Sequence, residues 1–354
     1  MQKQPWLGKP LVDIIFILSP PFLCLLAIIC FPDVFQNNKN MPDSWWIILI
    51  LLVDVAHVYS TLYRTYFNSH AFQKFKPILI LVPLLSFIAG AIIYTISDGW
   101  FWRLLAYLAV YHFVRQQYGF MRLYSRNESL PGWERIIDKF IIYYATIYPL
   151  MHWHFGEKRN FNWFVENEFL SFPAAGFLKA ATAVYWLTIA CYLVKEMVHL
   201  IRYKNINIPK FAVIGGTLIS WYFGIVYFNG DLAFTLLNVI SHGIPYMALI
   251  WISEKKESSK LRKDHYLRLF FGRYGIVFFL GLIFLLAYLE EGLWDWAVWK
   301  EHQHIFAFFH QIPFHAENTL LSFIVPLLAL PQITHYIVDG FIWRKSKKSM
   351  HSRI

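Results

Sequence analysis

Apolar residues in this chain come in long unbroken runs, with polar residues gathered between them. LVDIIFILSPPFLCLLAIICF, WWIILILLV, PILILVPLLSFIAGAII and GIVFFLGLIFLLAYL are typical. A bilayer-crossing helix needs about 20 mostly apolar residues. On that measure the pattern predicts ten segments, roughly 11–31, 44–66, 77–96, 100–123, 134–154, 174–200, 211–228, 231–252, 270–289 and 318–343. The runs are too long for barrel strands and lack their alternation. The expectation is an all-α, polytopic transmembrane helical bundle of about ten helices, forming one integral membrane domain over residues 1–354. The first run is too long for a signal-peptide core and lacks a small-residue cleavage site, so it reads as a retained first span.

Charge placement tests this layout independently, because cytoplasmic connections of membrane proteins are enriched in Lys and Arg. Most of the 32 basic residues fall on alternate connections. They are Lys3 and Lys9; Lys74 and Lys76; Arg122, Arg126, Arg135 and Lys139; Lys195, Arg202, Lys204 and Lys210; the run from Lys255 to Arg273; and Arg344 to Arg353. The opposite connections hold Lys39, Lys158, Arg159 and Lys300 beside Glu157, Glu166, Glu168, Glu290, Glu291, Asp295 and Glu301. Both termini are therefore expected in the cytoplasm, as in a bacterial-type inner membrane protein. The longest outer-side connections, 155–173 and 290–317, are rich in Trp and Phe, as suits segments at the headgroup level.

Composition agrees. The 354 residues are 57% hydrophobic and only 15% charged, where soluble domains carry about 25%. The +10 net charge is spread over several short connections and forms no basic domain, which argues against nucleic acid as a partner. Cys24, Cys30 and Cys191 lie in apolar runs without CxxC spacing, so neither a disulfide framework nor a zinc ribbon is expected. Walker A, GxGxxG, GxSxG and HExxH are absent, as is the HxxxH/HxxHH set of the fatty-acid desaturases.

Four segments running from outside to inside interrupt their apolar runs with a histidine and polar company. These are DVAHVYSTLYRTY (54–66), YHFVRQQYGF (111–120), NVISHGIPY (238–246) and THYIVDGFIWR (334–344). His57, His112 and His242 fall about 11–12 residues, ~17 Å, from the outer helix ends, and His335 about 17 residues. Each has a polar residue one turn away on its own helix: Asp54, Gln116, Asn238 and Asp339 respectively. Arg64 and Arg115 lie two turns and one turn nearer the cytoplasmic headgroups.

Neutral imidazole is the commonest metal ligand, and a ligating His usually gives its second N–H to an oxygen. His57, His112, His242 and His335 therefore read as candidate metal ligands. Asp54, Asp339, Gln116 and Arg115 are the candidate catalytic groups around them. Arg64, Arg115 and Asn238 are candidate contacts for the polar end of a lipid-like substrate. Several His with one or two carboxylates would suit non-haem iron, with zinc or manganese as alternatives. Taken singly, an intramembrane histidine serves more often as an interhelical hydrogen-bonding residue, and either arginine could simply snorkel to phosphates. Four histidines on separate helices at related depth are harder to explain that way, since polar groups there are costly. A second group, Glu301, His302, His304, His310 and His315 in EHQHIFAFFHQIPFH, matches no strong zinc spacing and reads as an interfacial segment.

With one His per helix in His57, His112, His242 and His335, the architecture resembles the Brp/Blh-type membrane carotene dioxygenases, iron proteins that cleave β-carotene to retinal. SHGIPY (241–246) is similar to that family's Pro-His-Gly pattern, which itself occurs nowhere in this chain. The resemblance implies an intramembrane non-haem iron site and leaves the substrate open. The leading expectation is thus a membrane-embedded metal-dependent oxidoreductase or oxygenase acting on a lipid-like molecule, with any redox partner left open. A proton-coupled transporter with a His/Asp relay and a haem protein using two of the histidines are the alternatives.

Overall fold

In the computed structural model ten helical rods account for the ten apolar segments, and no strand occurs among the described residues, 4–36, 41–262 and 265–343. Lys3, Lys39, Lys263 and the basic tail from Arg344 onward, which enter the charge argument, lie outside the described residues. In chain order the rods are α1 (Pro10–Leu18 and Pro20–Cys30), α2 (Asp43–Arg64), α3 (Ser69–Ile96), α4 (Asp98–Tyr124) and α5 (Gly132–Phe155). They continue with α6 (Ala175–Tyr203), α7 (Ile208–Tyr227), α8 (Asp231–Ser258), α9 (Gly275–Trp299) and α10 (Asn318–Ile342). Seven of them, α2, α3 and α6 to α10, are long and apolar enough to cross a membrane, and α1 makes an eighth if its two pieces form one span. At 27 and 24 residues α4 and α5 have the length but are more polar.

Local chemistry sets the ends and the breaks. The side chain of Asn68 accepts the Ala71 N–H at 3.1 Å to start α3, and Asn207 accepts the Lys210 N–H at 3.1 Å to start α7, relieving orphan donors of the first turn. Pro20 and Pro21 cannot donate to the preceding turn, and α1 bends by 51° there. Pro326 and Pro331 divide α10 into Asn318–Leu328 and Leu330–Ile342. Four stretches, Ile14–Leu18, Ile47–Val55, Tyr222–Tyr227 and Asp295–Trp299, are π-helical, a wider winding that recurs at functional sites. The second ends two residues before His57.

The chain forms two compact units, Met1–Asp54 with Phe113–Ile252, and Val55–His112 with Ser253–Ile354. In the first, α5 packs on α6, and α7 lies against α5 and α1. Its core includes Cys24, Ile28, Leu49, Phe228 and Leu237, with a tyrosine-rich patch of Tyr148 and Tyr185 flanked by Tyr144 and Tyr222. In the second, α10 packs along α3, and α9 along the latter half of α2, around Leu79, Val338 and Ile342. Gly90 of α3 permits the close approach, since a Cβ there would stand 3.0 Å from Pro326. Of the apolar spans α8 is the most buried, 83% against 11% for α3, which makes α3 a lipid-facing helix and α8 an interior one.

Two expectations shift. The segment expected to end at 289 runs on to Trp299, so Glu290, Glu291 and Asp295 are buried residues of α9 and not loop acids. Lys195 and Lys210, counted above among headgroup-facing cations, are buried as well. Lys195 Nζ lies 2.5 Å from both Asp138 Oδ1 and Glu196 Oε1, and Lys210 Nζ 2.9 Å from Asp138 Oδ2 and 3.0 Å from Glu128 Oε1. Burying a charge is tolerable only when it is paired and hydrogen-bonded, and this five-member network meets that condition. Hydropathy sees each charge alone and cannot show the pairing.

Candidate metal centre

His57 follows the π-helical stretch of α2, His112 lies in mid-α4, and His335 one turn into the second piece of α10. Their rings meet edge to face. His57 and His335 have centroids 5.0 Å apart, and His112 and His335 4.5 Å. His242 sits in mid-α8 with the Phe113 ring face to face against it, at 3.5 Å and 8°. Phe113 directly follows His112 on α4. All four histidines are between 0% and 2% exposed. Each offers one ring nitrogen to a set whose members all lie within 4.8 Å of one another. Ligands at about 2.1 Å from a shared ion stand at most about 4.2 Å apart, when trans. The spacing is thus within a small inward adjustment of a single coordination sphere.

The surrounding bonds orient the rings. Thr61 Oγ1 is 2.7 Å from His335 Nδ1. Asp339 Oδ2 is 3.7 Å from His112 Nδ1, while Asp339 Oδ1 accepts the Trp343 indole N–H at 2.7 Å. The Tyr336 ring stacks on His112 at 5.1 Å. Buried ring nitrogens that make no hydrogen bond are His112 Nε2, His335 Nε2 and His242 Nδ1. With Nε2 as an electron-pair donor to a metal, Nδ1 of His335 would carry the proton and donate it to Thr61. That is the usual arrangement behind a metal-bound histidine. Four buried histidines of this geometry can hold a metal ion.

Of the polar neighbours expected one turn along each helix, Gln116 and Asp339 reach to another helix. Gln116 Nε2 donates to the main-chain carbonyl of His242 at 2.9 Å, tying α4 to α8. Asp339, expected to serve His335 on its own helix, also stands 3.7 Å from His112 Nδ1 on α4. Asn238 turns back to the Phe234 carbonyl at 2.9 Å and faces Gly224, where any Cβ would collide with its amide. Asp54 is half-buried in the π-helical stretch. Neither Asp54 nor Asp339 belongs to the four-ligand set.

Each arginine has a protein partner. Arg64 donates to Glu254 Oε1 at 2.7 Å and to Ser253 Oγ at 2.8 Å, and its guanidinium lies 4.2 Å from the Trp343 ring centroid. Arg115 donates to the Tyr143 hydroxyl and lies over Tyr118. In the 301–315 segment, Asp295 is the organising group. Its Oδ1 accepts the Glu301 and His302 N–H groups at 2.8 and 2.7 Å, and its Oδ2 lies 2.8 Å from His310 Nε2. A carboxylate holding a loop is what gathers Glu301, His302 and His310.

Sequence reasoning missed Thr61, Phe113, Tyr336 and Trp343. Only Thr61 carried a signal, one turn after His57 on the same helix face. The other three act through ring contacts that no spacing rule encodes. Compared with protein-family models, with curated proteins and with solved structures, the chain finds no match.

Proposed function

We propose that this chain is a membrane-embedded metalloprotein whose four histidines hold one transition metal, iron first among them. On this reading it works as an oxidoreductase or oxygenase on a lipid-like substrate. The observation that carries the proposal is the convergence of His57, His112, His242 and His335 in a buried set with nitrogens within 4.8 Å of one another. Buried polar groups in an apolar helix bundle are costly, and four imidazoles from four helices meet the ligand requirement of zinc, copper, iron or nickel. Iron is preferred because four ligands leave room in its usual six-coordinate sphere, and the resemblance to membrane carotene dioxygenases points the same way. Such an ion would supply one-electron chemistry and open positions for oxygen.

The chain's own residues then have distinct tasks. Thr61 orients the His335 ring, and the Tyr336 ring stacked on His112 positions that one, with Asp339 3.7 Å away. Phe113 and Gln116 hold the ring and backbone of His242. The apolar helices exclude bulk water and admit substrates that partition into the bilayer. Arg64 and Arg115, engaged by Glu254 and Tyr143, serve the fold first, and contact with a substrate's polar end would require exchange of those partners.

Elemental analysis and an absorption spectrum of chelator-free purified protein test the proposal. One equivalent of metal is expected, lost in both His57→Ala and His335→Ala. Substoichiometric metal in the parent protein, or a Soret band, overturns it.

A further inference from the structure

A small cavity lies in the first unit where the break in α1 faces α4, α7 and α8. Its volume is about 20 Å³, room for one water molecule. Ile17, Leu18 and Pro21 line it from α1, Gln117 and Phe120 from α4, Gly216, Thr217 and Ser220 from α7, and Ser241 and Pro245 from α8. Gly216 lets α7 come this close, because a Cβ there would stand 2.6 Å from Pro21.

The lining is polar where a dry packing defect would be apolar. Ser241 Oγ is buried and has no hydrogen-bond partner. Thr217 Oγ1 lies 3.0 Å from Gln117 Oε1 and 2.8 Å from the Val213 carbonyl. A hydroxyl has one proton, so it cannot donate to both. Ser220 reaches only the Thr217 carbonyl, at 3.4 Å. Pro21 lines the cavity and has no N–H, so the preceding turn of α1 lacks one backbone donor. Membrane helices broken by proline commonly recover such groups through ordered water. A buried serine hydroxyl left without a partner costs about 1–3 kcal/mol, which a bound water would remove.

We infer that this cavity is a specific site for one water molecule, held by Ser241, the Gln117–Thr217 pair and Ser220. The site gives the first unit an internal water held by the residue next to His242 in the chain. Ser241 precedes His242 on α8, and Gln117 follows Gln116, whose amide binds the His242 carbonyl. The bound molecule thereby joins the kink of α1 to the two helices that set His242. The inference stands on the cavity and its hydroxyls and does not depend on which metal, if any, the histidines hold.

X-ray radiolytic footprinting of the full-length protein in detergent tests it, using ¹⁸O-enriched water as the probe. Radicals generated from a bound water mark side chains touching it even when bulk solvent is excluded. Phe120 is 3% exposed, so oxidation there reports the internal water. The expected result is ¹⁸O-free label at Phe120 or Pro245 after a brief transfer from ordinary to enriched water, with exposed residues already carrying ¹⁸O. Ser241→Val should abolish the internal label, whereas Ser241→Thr, which keeps a hydroxyl, should retain it. A normal helical circular dichroism spectrum shows that either variant is folded. Absence of label at both residues in the parent protein overturns the inference, and so does unchanged labelling in folded Ser241→Val.

Discussion

Thr61→Val replaces a buried hydroxyl by a methyl of nearly the same shape, so the space around it stays filled. The change removes the 2.7 Å contact to His335 Nδ1, in surroundings where Thr61 is 6% and His335 2% exposed. The neighbouring Thr65 hydroxyl donates to the Thr61 carbonyl at 2.7 Å and is untouched. An unsatisfied buried donor costs about 1–3 kcal/mol. Removing a hydrogen-bond partner of a ligating histidine lowers metal affinity about 10- to 100-fold, equivalent to about 1.4–2.8 kcal/mol. The two independent estimates overlap, which is expected if the penalty falls on the orientation of one imidazole. Chelator competition with Co²⁺ or Zn²⁺ measures the affinity, and the Co²⁺ visible spectrum reports the geometry. Thr95→Val is the control, since the Thr95 hydroxyl bonds only the Ala91 carbonyl on an exposed face of α3. Unchanged affinity in Thr61→Val, with His335→Ala abolishing binding, would refute the orienting role while leaving the ligand set intact.

Arg64→Ala leaves the carboxylate of Glu254, 2% exposed, without its cation, and should cost about 3 kcal/mol in detergent unfolding; lost substrate binding at unchanged stability would instead mark Arg64 as an anchor. Asp138→Asn strips a shared acceptor from Lys195 and Lys210 and should destabilise by a similar ~3–5 kcal/mol, read in the same assay with metal content preserved. His310→Ala removes a loop contact to Asp295 and should leave bound metal at one equivalent; its loss would draw the 301–315 segment into the centre. Glu168 accepts the N–H groups of Trp163, Phe164 and Val165, and burial raises its pKa despite these bonds pulling it down. A raised folded-state pKa means that its contribution is complete below the ordinary carboxylate range and lost as pH rises through the shifted value. Protease nicking of residues 156–174 should therefore increase over that window in the parent protein and lose this pH dependence in Glu168→Gln.

Fold was legible in the sequence because the bilayer acts on long runs. Ten apolar segments became ten rods, and the boundaries moved only where a polar residue's environment could not be read locally. Glu290 and Glu291 looked like a loop because charge ends a hydropathy window, yet both are buried in α9. A hydrogen bond joins Tyr59 to Glu290, and the Trp294 indole reaches Glu290 Oε1 at 3.4 Å. Lys195 and Lys210 misled for the same reason. The positive-inside pattern weighs cations by position along the chain, whereas burial is decided by acids that arrive from other helices.

The four-histidine cluster was legible by a different route. Each histidine alone fitted an ordinary interhelical contact, and their shared depth on four helices was the deciding signal. Depth is a one-dimensional quantity that sequence can supply, because a helix rises by a fixed amount per residue. Azimuth is not, and the supporting residues failed on azimuth. Gln116 was assigned to His112 through i+4 spacing, but its amide lies 2.9 Å from the carbonyl of His242. Asp339 was assigned to His335, whose Nδ1 meets Thr61 Oγ1, and its carboxylate also stands 3.7 Å from His112 Nδ1. A ring that points toward a common centre turns its second nitrogen outward, toward whichever helix packs behind it. Own-helix neighbours at i±3 and i±4 lie along the helix surface and are poorly placed for that position. In a centre built from one ligand per helix, supporting groups should therefore come mainly from adjacent helices, as Thr61, Asp339 and Gln116 do here.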